Sequence, residues 1–396
     1  MSQSIKEFLY GFLFLISAFS YSIYFILYSG LNLPENGILF KIYSVTLTFL
    51  ILIIFVSDFN KLPLQERNNC ILISCGVVFL FFITRLIYNE PNELYNTYFF
   101  SMGVRFIPAI LCGVIMLKEE NALSYMEKAL LPFVSIYTIV LASVIFNANA
   151  NSNMVLTYNV EGGMNYQTLS YYSVFSFGLT LYLLVNSSFS KLVNFFLFII
   201  SFIQIVMALM TGSRGAFVLA IIIVAYYIFN HFSIKKAVLI SSLVILISYI
   251  FFMNFENGYL LDMGISRIMN FWSDSSAIEQ DSRWIRWNLA WNAFEESPIW
   301  GNGIGSVFYK VGFYSHNIFT DLLCEGGILL TGVCIYILFR FLVKIKYLIS
   351  CDRKFELILI IFLCSFVNIL FSGYYLSETG IWLSFMYILG YKSDCK

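Results

Sequence analysis

The sequence predicts an all-α, polytopic integral membrane protein of about twelve transmembrane helices with one long extracytoplasmic loop. Three observations predict it. The 396 residues are 60% hydrophobic and 12% charged, whereas a soluble domain is roughly 25% charged. Apolar runs recur at about 20 residues, the length that crosses a hydrocarbon core roughly 30 Å thick. Lys and Arg gather on alternate connections between those runs. A soluble protein of this size could not cover its surface with so few charges, and disorder and nucleic-acid binding are excluded more firmly still. Lys+Arg and Asp+Glu balance at 23 each, so net charge suggests no polyanionic partner.

In chain order the predicted spans lie near 8–28, 38–56, 70–88, 98–117, 129–147, 168–186, 192–210, 213–230, 234–253, 317–342, 355–371 and 374–391. Backbone groups in lipid must be satisfied within the segment, so runs of this length are helices; porin-type strands are only about ten residues long. The first run is too long for a signal-peptide core and no small-residue cleavage site follows it, so it reads as a retained span. The whole of 1–396 reads as a single integral-membrane domain. Residues 254–316 form its extracytoplasmic loop, inserted between the ninth and tenth spans, with a helix near 281–296.

Orientation follows from the positive charges. With the N-terminus inside, 15 of the 23 fall on inner segments, and the outer loops at 29–37, 89–97 and 148–167 hold none. Both termini are therefore expected in the cytoplasm. The eight cysteines do not read as a disulfide set. Cys70, Cys75, Cys112, Cys324, Cys334 and Cys364 lie within spans, Cys351 and Cys395 face the cytoplasm, and no pair has zinc-ligand spacing, so all read as small apolar fillers.

Lys and Arg are not distributed alike. The inner side carries 12 Lys and 3 Arg, while the outer half carries Arg85, Arg105, Arg214, Arg267, Arg283 and Arg286 against Lys41 and Lys310. Topogenesis needs only positive charge inside, so arginine outside requires another reason. The planar guanidinium binds phosphate or carboxylate bidentately and is less strongly hydrated than ammonium. Six outer arginines therefore point to an anionic ligand at the outer membrane surface. Arg105 sits about 10 Å below the outer end of the fourth span, and Arg85 about one turn below that of the third. Such residues face a bundle interior or wet cavity, or else snorkel to the headgroups. An anion at this depth is most simply a lipid head group, and a lipid-linked diphosphate fits.

Five of the six tryptophans lie between Trp272 and Trp300. From Asp281 to Glu296 the pattern is helical, with Trp284, Trp287, Trp291 and Phe294 on one face and Arg283 and Arg286 on an adjacent stripe. Asp281 or Ser282 can cap its start and Pro298 ends it. This is an interfacial amphipathic helix, or one whose indoles also stack on sugar rings; the two are compatible. Gly301-Asn302-Gly303-Ile304-Gly305 reads either as a phosphate cradle or as a flexible turn without a ligand. Glu279-Gln280-Asp281 has an E-x-D form, but solvation and helix capping explain it, so no metal and no cofactor are expected. His231 lies beside Lys235 and Lys236 as a solvated interface residue. His316, before the tenth span, can take a proton near neutral pH or serve structurally, and Asn317 could orient its ring.

Several motifs together resemble the O-antigen ligase and polymerase superfamily. They are Thr211-Gly212-Ser213-Arg214-Gly215, then Arg283 with Trp287, then Pro298-Ile299-Trp300-Gly301-Asn302-Gly303. His316-Asn317 follows, with Glu325-Gly326-Gly327 in the next span. The matching stretch covers roughly 211–335, and the N-terminal half is similar only in hydropathy. Leu330 stands where the family often has another glycine, and Arg286 is an additional arginine. The resemblance implies a metal-independent glycosyltransferase in a bacterial inner membrane, its site facing the periplasm. Its donor and acceptor would be undecaprenyl-diphosphate-linked glycans among membrane lipids. Carried over, Arg214 and Arg283 hold the diphosphate and His316 serves the acceptor as the catalytic histidine. Arg286, Arg105, Arg85, Asn317 and Trp287 are candidate substrate-binding residues.

The reading that follows is a repeat-unit polymerase of the Wzy type. A ligase moving the same donor onto lipid A–core would use the same arginines. A transporter or flippase of the lipid-linked glycan differs in class; transporters bind near the midplane between paired halves, whereas the charge here lies at the outer edge. A chain-length regulator encoded nearby would favour the polymerase and would be its protein partner.

Overall fold

The computed structural model describes residues 3–20, 23, 38–150, 166–231 and 282–392. Among the described residues the secondary structure is helical, with no strand. Seven helices among the described residues are long and apolar enough to cross a membrane, and three shorter apolar helices accompany them. The chain is a polytopic helical membrane protein. The predicted span 234–253 lies outside the described residues, as do part of the first span and the outer loop as far as 281.

The helices are α1 (Gln3–Ala18), α2 (Ile38–Ser57), α3 (Leu64–Tyr88), α4 (Glu93–Ser101), α5 (Ile107–Lys118), α6 (Ala122–Ala150), α7 (Tyr166–Asn186), α8 (Lys191–Thr211), α9 (Arg214–His231), α10 (Ser282–Glu296), α11 (Val307–Lys310), α12 (Ile318–Cys351), α13 (Phe355–Phe371) and α14 (Thr379–Gly390). α4 and α5 make one span, joined through a π-helical turn at Met102–Phe106. The six cysteines within spans are free thiols, but Cys351 is disulfide-bonded, which corrects the expectation that no cysteine pairs.

The chain divides into two compact units. One comprises Met1–Phe25, Glu35–Leu130 and Ile278–Lys396; the other comprises Ile26–Pro34 and Leu131–Ala277. In the second unit α7 packs along α8 and α9. α8 ends because Gly212 turns left-handed (φ 65°) and returns its N–H to the Ala208 carbonyl; α9 begins two residues later at Arg214. Gln204 is fully buried there and donates to Thr138 Oγ1 at 2.7 Å. A polar side chain at that depth needs such a partner.

In the first unit α14 packs on α5 and α13. The α5–α14 crossing is close because Gly113 has no side chain; a Cβ there would lie 2.8 Å from the Leu383 carbonyl oxygen and from Met386 Cβ. α10 packs on α12, and α12 is interrupted. Gly327 has φ 60° and ψ −160°, a region essentially reserved for glycine. An unbroken helix would pair the Ile328 N–H with the Cys324 carbonyl and the Leu329 N–H with the Glu325 carbonyl.

The segment after α10 takes over both bonds. Asn302 N–H donates to Cys324 O at 2.9 Å and Gly303 N–H to Glu325 O at 2.8 Å, while Ile328 N–H donates to Pro298 O at 2.9 Å and Leu329 N–H to Ile299 O at 3.4 Å. The Asn302 amide adds bonds to Cys324 O at 3.0 Å and Ala293 O at 2.7 Å. Two bonds lost from the helix become four to the loop, so no group freed by the break is left orphaned in an apolar setting. The glycine-rich stretch is thus neither a phosphate cradle nor a loose turn. It is a backbone clamp, and its glycines are there because the two chains touch: a Cβ on Gly301 (φ 70°) would lie 2.3 Å from Gly326 N.

Gly301→Ala and Gly327→Ala should therefore each cost about 1–3 kcal/mol in backbone strain, and more from the clash. Gly332→Ala, where a Cβ meets nothing within 4 Å, should be neutral or stabilise by up to about 1 kcal/mol. Thermal unfolding in one detergent ranks the three variants.

Candidate functional site

The clamp fixes α10, and α10 carries the site. Its packed stripe is Ala290 and Ala293, buried at 0% and 3% exposure, small enough to bring its backbone against α12. One turn before Ala290 on that stripe stands Arg286. The opposite face presents Trp284, Ile285, Leu289 and Trp291, all exposed, an apolar surface suited to headgroup depth. Trp287 lies between the two faces; its ring centroid is 6.0 Å from that of Trp284, and its buried Nε1 has no hydrogen-bond partner among the described residues.

His316 comes from the turn that opens α12. That turn is held by its own polar side chains. Ser315 N–H donates to the buried Asp321 carboxylate at 2.8 Å, and Ser315 Oγ donates to the Asn317 carbonyl at 3.1 Å. Asn317 is the N-cap, its Oδ1 accepting from Phe319 N–H at 2.9 Å. Between them His316 takes a left-handed backbone, φ 65°, unusual for a residue other than glycine. The strain aims its imidazole back toward α10.

There the ring meets partners on both nitrogens. Arg286 Nη1 lies 2.5 Å from His316 Nε2, and His316 Nδ1 lies 3.2 Å from the Ser372 carbonyl oxygen. A carbonyl can only accept and a guanidinium can only donate. The ring is therefore the neutral Nδ1–H tautomer, with its Nε2 lone pair taken by Arg286. Tyr314 meets the ring edge-on at 4.6 Å between centroids, and the Arg286 guanidinium lies over Phe313 at 4.9 Å.

The other outer arginines are placed separately. Arg85 donates to the Glu90 carbonyl and, at 3.2 Å, to the Tyr309 hydroxyl, so it closes the end of its own helix onto α11. Arg105 sits in the π-helical turn and interacts electrostatically with Glu378, which also accepts from Asn368 Nδ2 at 2.7 Å. Arg283 is half-exposed on α10, one turn before Arg286. Arg214 belongs to the second unit, at the start of α9. The preceding Ser213 N–H donates to Ser170 Oγ at 3.4 Å. A guanidinium at a helix N-terminus adds charge to an already positive end, an arrangement that a bound anion favours. Glu279-Gln280-Asp281 and Arg267 lie outside the described residues.

Sequence reasoning missed the support beneath His316. Glu325 is 1% exposed, and its carboxylate accepts from the hydroxyls of Tyr374 (2.9 Å) and Tyr375. Ser372, whose carbonyl orients His316, lies just before that pair. A glutamate within an apolar span was the available signal, because it must have a partner.

Residues 196–335 match the family model Wzy_C, described as O-antigen ligase. This match supports the resemblance to the O-antigen polymerase and ligase superfamily over that stretch. The matched stretch contains Arg214, Arg283, Arg286, His316 and the break in α12. The Wzy_C family implies a glycosyltransferase-like enzyme, lipid-linked glycan substrates and a membrane setting. No curated protein matches the chain.

Asn317→Ala should cost about 1 kcal/mol by removing the N-cap and should release the His316 turn, lowering activity more than stability. Asn317→Asp keeps the cap and should restore both. Parallel melting and glycan-transfer measurements on the two variants check this.

Proposed function

We propose that this Wzy_C protein is a polymerase of undecaprenyl-diphosphate-linked oligosaccharide repeat units, O-antigen or another surface polysaccharide. The growing glycan on one carrier moves to a sugar hydroxyl of a second lipid-linked repeat unit. The anomeric carbon–phosphate oxygen bond breaks and a glycosidic bond forms. Undecaprenyl diphosphate departs, and the acceptor hydroxyl proton passes to His316 Nε2. Negative charge develops on the leaving diphosphate, and Arg214 and Arg283 are assigned to hold it there. Preorganised cations stabilise that charge more in the transition state than before it. No metal is needed for this division of labour. The site faces the periplasm of a bacterial inner membrane, both termini are cytoplasmic, and residues 254–316 form the extracytoplasmic loop. A chain-length regulator is the expected protein partner.

The observation that carries the reading is the His316 imidazole, fixed in one tautomer with its proton-accepting nitrogen beside a guanidinium on α10. Proton acceptance next to a binding site for an anionic leaving group is what glycosyl transfer from a diphosphate requires. The family description favours a second reading, a ligase moving the glycan to lipid A–core. Gene deletion and glycan gel analysis decide between them. A lost ladder with a single repeat retained on core is the expected, polymerase result; loss of both means ligase.

Within either reading, His316→Ala should remove visible product, since a general base contributes about 10²–10⁴-fold. His316→Gln hydrogen-bonds without taking a proton and should also be inactive; near-normal turnover by it would leave orientation as the histidine's role. Arg214→Lys and Arg283→Lys keep charge but lose the fork and should each reduce transfer by about tenfold or more. Product formation in membranes with saturating lipid-linked donor measures all four.

A further inference from the structure

Arg286 occupies the one nitrogen of His316 able to accept a proton. Nδ1 cannot substitute, because its hydrogen is committed to the Ser372 carbonyl. A base whose lone pair already receives a hydrogen bond from a guanidinium cannot act on a hydroxyl until that guanidinium leaves. We propose that Arg286 masks His316 Nε2 until donor binds and that a diphosphate unmasks it by drawing the guanidinium away. The inference rests on the reading of His316 as the acceptor base, and gives Arg286 two partners in turn, the His316 ring and then the diphosphate.

Three features make the exchange favourable. First, a neutral imidazole offers the guanidinium one acceptor, whereas a diphosphate offers a bidentate, charge-assisted fork, roughly twice as strong per bond. Second, Arg283 lies three residues before Arg286 on α10, and side chains at that spacing are neighbours on a helix surface. An anion bound by Arg283 is therefore within reach of Arg286. Third, only the side chain needs to move. The α10 backbone is held by Ala290, Ala293 and the Asn302 bond to Ala293 O, and the contact of Arg286 with Phe313 is a ring face, which permits sliding. The consequence is ordering. His316 becomes available only with donor diphosphate in place, so neither an acceptor hydroxyl nor water is activated before donor binds.

The chain has only two histidines, so a His231→Gln background leaves His316 alone to be read. Full-length protein in detergent is treated with diethyl pyrocarbonate, which acylates an unoccupied neutral imidazole nitrogen, and the rate is followed by ultraviolet absorbance. The parent should react slowly and accelerate at least about tenfold with saturating inorganic pyrophosphate, the gain expected from releasing a charge-assisted hydrogen bond. Arg286→Met should react at the fast rate with or without pyrophosphate. Arg286→Lys keeps a cation on the helix and should fall between, which covers a Met variant that does not fold. Nitrogen-15 spectra of labelled histidine should show the Nδ1–H tautomer throughout, with the Nε2 signal moving on pyrophosphate addition.

If both Arg286 variants react as slowly as the parent, the masking is overturned. If they react fast but pyrophosphate leaves the parent slow, the unmasking is overturned. No glycan enters this experiment, so its failure is distinct from failure of the polymerase reading, which the deletion gel reports.

Discussion

The backbone break at Gly327 sets the geometry of everything above it. A transmembrane helix can open only where other groups take up the exposed N–H and C=O. Here the chain from Pro298 to Gly303 does so, bond for bond, against Cys324, Glu325, Ile328 and Leu329. Because that chain directly follows α10, the position of α10 along α12 is fixed by backbone pairing and not by the looser fit of apolar side chains. The glycines are consequences of this contact. A side chain at Gly301 or Gly327 would collide with the facing backbone, whereas a Cβ on Gly303 would lie 2.4 Å from Thr84 Oγ1 and one on Gly305 2.8 Å from the Phe81 and Tyr95 rings.

Two anchors, from different parts of the chain, converge on His316. Through the clamp, α10 brings Arg286 to Nε2; through the α13–α14 connection, Ser372 brings a carbonyl to Nδ1. Glu325 ties them together. Its carbonyl takes the Gly303 N–H, and its carboxylate takes the Tyr374 and Tyr375 hydroxyls just beyond Ser372. One residue at the break therefore registers the loop and the connection against each other. A site held this way needs little reorganisation when charge develops, which is the condition for electrostatic catalysis. The left-handed backbone of His316 is the local cost of that arrangement.

The helices were legible because apolar run length is a direct consequence of membrane thickness. His316 was legible as the histidine at the end of the outer loop, and Arg286 as the arginine one turn beyond Arg283. The clamp was not. A Gly-x-Gly-x-Gly stretch carries no mark of what it touches, and its partner begins more than 20 residues later in an apolar span. Asn317 was read for its amide near the histidine, but its side chain is used by the backbone as an N-cap. Arg85 reaches the Glu90 carbonyl beyond the end of its own helix and the Tyr309 hydroxyl. Tyr374 and Tyr375 were hidden because tyrosine is unremarkable in an aromatic-rich span; only the buried charge of Glu325 called for them.

Amide hydrogen exchange tests the clamp most directly. In the full-length protein in micelles, the N–H groups of Asn302, Gly303 and Ile328 should exchange as slowly as those in the interior of α12, because each donates to a carbonyl across the break. Local opening would require loop and helix to part together, so the three should open with one common free energy. Exchange of Asn302 and Gly303 at the rate of an unprotected loop, with Ile328 still protected, would mean that α12 repairs its break without the loop. The placement of Arg286 on His316 by backbone pairing would then be contradicted.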